Sequence, residues 1–144
     1  LWVDRNQTQG LGTSPREIAS HIAVADLTWK VAKRHTLRME LQTLQTAQEL
    51  DHIGDRVNGS WLMGMIEYSL SPNFFVSVMD QWAYDNPVAD FQIHYITTTV
   101  GYNSGATRIA LSYGRQREGI VCIGGVCRQV PASNGLTLSL MSSF

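Results

Sequence analysis

The sequence predicts an all-β chain: an antiparallel up-and-down transmembrane β-barrel, of which these residues supply about seven C-terminal strands. Three observations lead there. Apolar and polar residues alternate through repeated runs of ten to thirteen residues, tight and long connections take turns between those runs, and the closing stretch from Gly135 to Phe144 alternates leucines with small polar residues before ending on an aromatic. Side chains on a strand switch sides at every residue, so this alternation gives each strand one apolar and one polar face. A soluble antiparallel sandwich alternates in the same way. Length separates the two, because strands of ten or more residues exceed the about five or six usual in soluble sheets and match the about nine to eleven that cross a bilayer at a tilt.

Composition narrows the classes further. The 144 residues suffice for one domain with a full core. Only 16% are charged and 44% hydrophobic, with no apolar run near the roughly 20 residues of a membrane-spanning helix. Eleven basic and 12 acidic residues leave a formal net charge of −1, which gives no footprint for nucleic acid. The chain starts at Leu1 without Met or leader, and Leu-Trp-Val-Asp-Arg-Asn is already polar. The start therefore reads as an internal cut in an exported protein.

Taken in order, 1–19 is expected as an extracellular loop, punctuated by Gly10, Gly12 and Pro15, and 20–144 as C-terminal barrel strands. Strands are expected near 20–32, 36–48, 59–70, 74–84, 90–102, 107–118 and 134–144. Lys33-Arg34-His35, Ser71-Pro72-Asn73 and Asn103-Ser104-Gly105-Ala106 are tight turns, whereas 49–58, 85–89 and 119–133 are longer and more polar. Outer-membrane barrels keep short turns on the periplasmic side and long loops outside. With Phe144 at the periplasm, each connection falls on the side its length requires. Single-chain bacterial barrels have an even number of strands, so an odd set implies strands upstream of Leu1. The alternative is an eight-stranded barrel with one strand in 1–19, begun by Leu1-Trp2-Val3.

Parity then assigns faces. Leu27, Trp29, Leu37, Met39 and Leu41 take the lipid side, leaving Asp26, Thr28, Lys30, Arg38, Glu40 and Gln42 inward, with Glu67 and Asp80 joining them. Lys30, Arg38, Glu40 and Glu67 form the expected lumen-facing set. On the last strand Leu136, Leu138, Leu140 and Phe144 face lipid, opposite Thr137, Ser139 and Ser143. Trp29, Tyr68, Tyr102 and Phe144 lie near tight turns or the terminus and form an inner aromatic girdle; Trp82, Phe91 and Tyr113 are placed in an outer one. Trp61 has the wrong parity for lipid, and the 90–102 run changes phase between Tyr95 and Ile96, which predicts a bulge or a shifted register.

Cys122 and Cys127 bracket Ile123-Gly124-Gly125-Val126, and Gly-Gly between alternating residues signals a two-residue hairpin turn. Ile123 then faces Val126, and the cysteines meet at the non-hydrogen-bonded site, where Cβ atoms approach most closely. A disulfide is expected there, at the tip of an outward loop in an oxidising compartment, contributing about 2 kcal/mol because its loop is short. Half a zinc site is the rival, but no second Cys or His pair follows at ligand spacing. Asp85, Asn86 and Asp90 offer oxygen ligands for Ca²⁺, yet beside Pro87 such residues also serve a turn. No metal and no cofactor is expected.

The closing strand resembles that of bacterial outer-membrane barrels, in which a terminal Phe on an alternating strand is read by the assembly machinery. Val100-Gly101-Tyr102, the run from Thr107 to Arg117, the run from Val121 to Ala132 and Gly135-Leu136-Thr137-Leu138-Ser139 together resemble an uncharacterised outer-membrane barrel family of Bacteroidota. The likeness is close over about the last third of the chain and loose elsewhere, and members of that family are longer. It implies the bacterial outer membrane as location, with outer-membrane lipid, the barrel-assembly machinery and other outer-membrane proteins as partners. It carries over no catalytic residues.

The expected function is a structural or accessory component of an outer-membrane assembly, without chemistry of its own. A channel or uptake barrel for small solutes is the alternative, drawn from the charged inward face. A barrel hydrolase is the remote one, resting on Asp51, His52 and Asp55 in a polar connection. Neighbours on an extended chain point apart, and no nucleophile–base pair or phosphate loop accompanies them, so no catalytic residue is assigned.

Overall fold

A computed structural model of the chain describes residues 2–9, 16–47, 60–85 and 92–142. They form β1 (Trp2–Gln9), β2 (Arg16–Ala32), β3 (His35–Ala47), β4 (Ser60–Leu70), β5 (Phe74–Asp85), β6 (His94–Ser104), β7 (Thr107–Gln116), β8 (Gly119–Ile123), β9 (Val126–Val130) and β10 (Ser133–Ser142). Eight of these make one antiparallel sheet in the order β1-β2-β3-β4-β5-β6-β7-β10, and β8 with β9 makes a separate hairpin. The sheet is open, with β1 and β10 as its edges.

Tight turns join β2 to β3, β4 to β5 and β6 to β7, and they lie side by side along one rim. The Ser71 N–H donates to the Arg34 carbonyl at 2.8 Å, and Arg34 Nε returns a bond to the Ser71 carbonyl at 3.0 Å. Asn103 N–H donates to the Asn73 carbonyl at 2.6 Å, while Asn73 Nδ2 donates to the Asn103 carbonyl at 2.7 Å. These bonds satisfy turn groups that the strand ladders leave over.

The described strands differ from the expected set in three places. The segment 1–19, expected as a loop, holds β1 and the start of β2, paired from Trp2↔Ala23 to Gln9↔Arg16. Its sequence is polar after Val3, so little apolar alternation marks the strand, which is the one the alternative of eight strands places in 1–19. The phase change expected between Tyr95 and Ile96 is absent: β6 pairs with β5 and β7 without a register shift. Tyr95 instead belongs to the polar face, beside Trp61, the other aromatic whose parity is wrong for lipid. The shifts fall between Lys30 and Ala32 and between Ser60 and Leu62.

The two faces are inverted relative to a soluble sheet. On the outer face Leu136, Leu138 and Leu140 are 70%, 69% and 68% exposed, in company with Leu27, Trp29, Ile66, Val78, Tyr102 and Leu111. On the inner face Glu67, Ser77, Thr97, Thr99, Ser112 and Gln116 are buried. The small apolar core lies on this inner side, where Val121, Ile123 and Val130 of the hairpin cluster with Met65, Phe75, Met79 and Ala110 of the sheet. Gly101 makes room for it. A Cβ there would stand 2.0 Å from Phe75 Cζ, so the ring lies across the glycine of the next strand.

Candidate functional site

The site is the inner face together with the hairpin that covers it. Register places Thr28, Arg38, Glu67, Ser77, Thr99, Ser112 and Thr137 opposite one another in turn, a polar row across seven adjoining strands. Thr99 and Ser112 share a hydrogen bond at 2.9 Å. Beside the row, Arg38 Nη2 reaches Asp26 Oδ2 and Glu40 Oε2, each at 2.6 Å. The Gln42 amide N–H donates to Glu40 Oε1. One guanidinium between two carboxylates leaves this part of the face acidic by one charge, and each short charge-assisted bond holds its side chain in place.

The hairpin turns on Gly124 and Gly125, whose φ values of 59° and 76° are those of a primed turn matched to strand twist. Cys122 and Cys127 face each other and are joined as a disulfide. The expected position at the tip of an outward loop needs correction, because the hairpin folds back over the sheet. Its turn is gripped from the wall: Arg108 Nη1 and Nη2 donate to the carbonyls of Gly124 and Ile123 at 2.8 and 2.7 Å, and the Gly124 N–H donates to Glu67 Oε2 at 2.5 Å. Arg108 also lies 4.3 Å above the Phe75 ring centroid. The physical reason for the inward fold is plain. Val121, Ile123 and Val130 gain apolar cover there, and the polar turn backbone finds two charged partners in place of water.

At the end of the inner face away from the tight turns, aromatic rings meet cations. Trp61 and Tyr95 approach with centroids 5.8 Å apart, Arg117 lies 4.0 Å over the Trp61 ring, and Arg115 lies 4.9 Å over Tyr95.

Register puts Lys30, Arg38, Glu40 and Glu67 on the inner face, with Arg38 and Glu40 in direct contact and Lys30 farther along, opposite Thr36. Trp29, Tyr68, Tyr102, Leu136, Leu138 and Leu140 share the outer face. Asp80 does not join the inner set and is corrected here: it pairs with Gly64 and Ile96 on the outer parity. There its Oδ2 meets His94 Nδ1 at 2.8 Å, and His94 stacks on Trp82 at 5.0 Å. An acid needs a polar partner on an apolar surface, and one residue of β6 supplies it. Phe144, Asp51, His52, Asp55, Asn86, Asp90 and Phe91 lie outside the described residues. Among the described residues no group of three His, Cys, Asp or Glu side chains could hold a metal ion. Arg108 and Arg117 were missed from the sequence. Arg108 carried a signal, since it alternates with Ile109 and Leu111.

These features define the class: an all-β chain of long antiparallel strands, apolar on one face of the sheet and polar on the other, with a disulfide-closed hairpin laid on the polar face. The chain belongs to a family of unknown function, DUF6029, whose model matches residues 1–144. Comparison with curated proteins and with solved structures finds no match.

Proposed function

We propose that the chain forms the wall of an outer-membrane β-barrel that serves as a structural or accessory component of an outer-membrane assembly. The inverted sheet carries this proposal. Contiguous outward leucines, valines and aromatics on strands of ten or more residues suit hydrocarbon, which tolerates no unpaired strand edge and rewards an apolar exterior. In this reading β1 and β10 close on one another or on further strands of the same wall, and the hairpin occupies the lumen. Trp29, Tyr68 and Tyr102 sit in the inner girdle, and the resemblance of the closing strands to outer-membrane barrels of Bacteroidota supports the location. The chain performs no chemistry of its own.

The polar row favours one second reading, an uptake barrel whose aqueous path runs past the hairpin. Two measurements decide. Retention in membranes after a urea wash, with heat-modifiable migration on gels, is expected for the barrel; release by urea overturns it. Outer-membrane partners co-purifying in fixed ratio favour the assembly role, whereas single-channel conductance from the isolated protein favours uptake.

A further inference from the structure

We propose that the inner face carries a binding site for a small organic carboxylate, between Trp61 and Arg117 at the rim opposite the tight turns. A cavity of about 200 Å³ opens there. Its lining is of two chemistries: aliphatic Ile22, Leu44 and Met63, and the polar Gln42, Gln81 and Arg117. Among the described residues Arg117 is the one charged group lining it, and no carboxylate among them pairs with this cation. The contrast with its neighbours is informative. Arg38 holds two carboxylates and Arg108 two carbonyls, so the other half-buried arginines of the inner face have oxygen partners.

A second, independent observation points to an acceptor. Trp61 Nε1 is closed off from solvent and among the described residues has no hydrogen-bond partner, although a buried indole N–H ordinarily finds one. Arg117 lies over the same ring. An anion in the cavity meets the guanidinium directly, and if it draws Arg117 off the ring it uncovers the indole N–H as a second donor. The planar guanidinium fork matches a carboxylate bidentately, and the aliphatic wall takes an apolar body. A volume of about 200 Å³ suits a molecule below drug size.

The site needs only the inner face of the sheet, so binding can fail while membrane insertion succeeds, and the reverse. Protein folded in maltoside micelles is titrated with benzoate, benzamide and benzylammonium, followed by tryptophan fluorescence and saturation-transfer NMR. Benzoate should saturate, with benzamide roughly tenfold or more weaker, the difference made by one charge-assisted bond. Arg117→Gln should abolish that preference, while Lys33→Gln, in a tight turn at the other rim, should keep it. Equal affinity for benzoate and benzamide, or benzoate binding unchanged in Arg117→Gln, overturns the proposal. The benzoate–benzamide comparison on the unaltered protein decides even if Arg117→Gln does not fold.

Discussion

Glu67 and Gly124, 57 residues apart in sequence, are joined by a hydrogen bond of 2.5 Å in which the turn N–H donates to a carboxylate that is 5% exposed. With the two bonds from Arg108 it fixes where the hairpin rests on the sheet. In Glu67→Ala the Gly124 N–H is left without its acceptor under the hairpin, which costs about 1–3 kcal/mol. Amide hydrogen exchange across 119–130 should rise while that of β6 and β7 stays protected. Unchanged exchange in the hairpin would show that Arg108 alone holds it.

Phe75 and Gly101 give a packing test. Gly101→Ala places a methyl inside the space of the Phe75 ring and should destabilise by about 1–3 kcal/mol, the usual cost of overpacking. It should also loosen Arg108, which rests on that ring. Gly64→Ala meets nothing within 4 Å and is the control, expected to be near neutral in urea titrations.

The outer-face proposal is tested on β10. Leu138→Arg should cost about 2–4 kcal/mol in unfolding from phospholipid vesicles if Leu138 sits at the bilayer midplane. Ser139→Arg, one residue on and opposite Ala110 on the inner face, should be much milder. Equal costs at both positions would sink the assignment of lipid to the outer face.

How much was legible from the sequence follows from the range of the interaction involved. Strands such as Phe74–Asp85 and Thr107–Gln116 announce themselves because lipid or solvent acts on each residue separately, leaving a period of two. The cysteine pairing was equally readable, since its geometry closes within six residues. The direction in which that hairpin folds was not, because it depends on Glu67 and Arg108, far along the chain and unmarked by local pattern. Asp80 misleads through its charge, which sets it among the inward acids; the ladder turns it outward, and His94 on the neighbouring strand explains how it stays there.

The Asp80–His94 pair therefore makes its own prediction. His94→Ala strands a carboxylate on the apolar face and should destabilise the vesicle-embedded protein clearly. Asp80→Val with His94→Val removes both partners and should recover most or all of the loss, because replacing a whole polar pair is far less costly than breaking it. Two equally damaged proteins in urea titrations would contradict this account.

Disrupting the disulfide should act locally. Cys122→Ser with Cys127→Ser removes a constraint worth about 2 kcal/mol on the unfolded chain, so hydrogen exchange should increase at 119–130 and the eight-stranded sheet should keep its circular dichroism. Loss of the sheet signal would mean that the hairpin nucleates the wall.

Gln116 and Ser133 stand directly opposite each other on β7 and β10, so the wall completes its ladder at the point where the chain departs into the hairpin and again where it returns. The hairpin is thus a cassette inserted between two strands that already meet. Residues between 117 and 132 can be exchanged, lengthened or shortened in the course of evolution without sliding any strand against its neighbour. What covers the polar face and what builds the sheet are free to change at different rates.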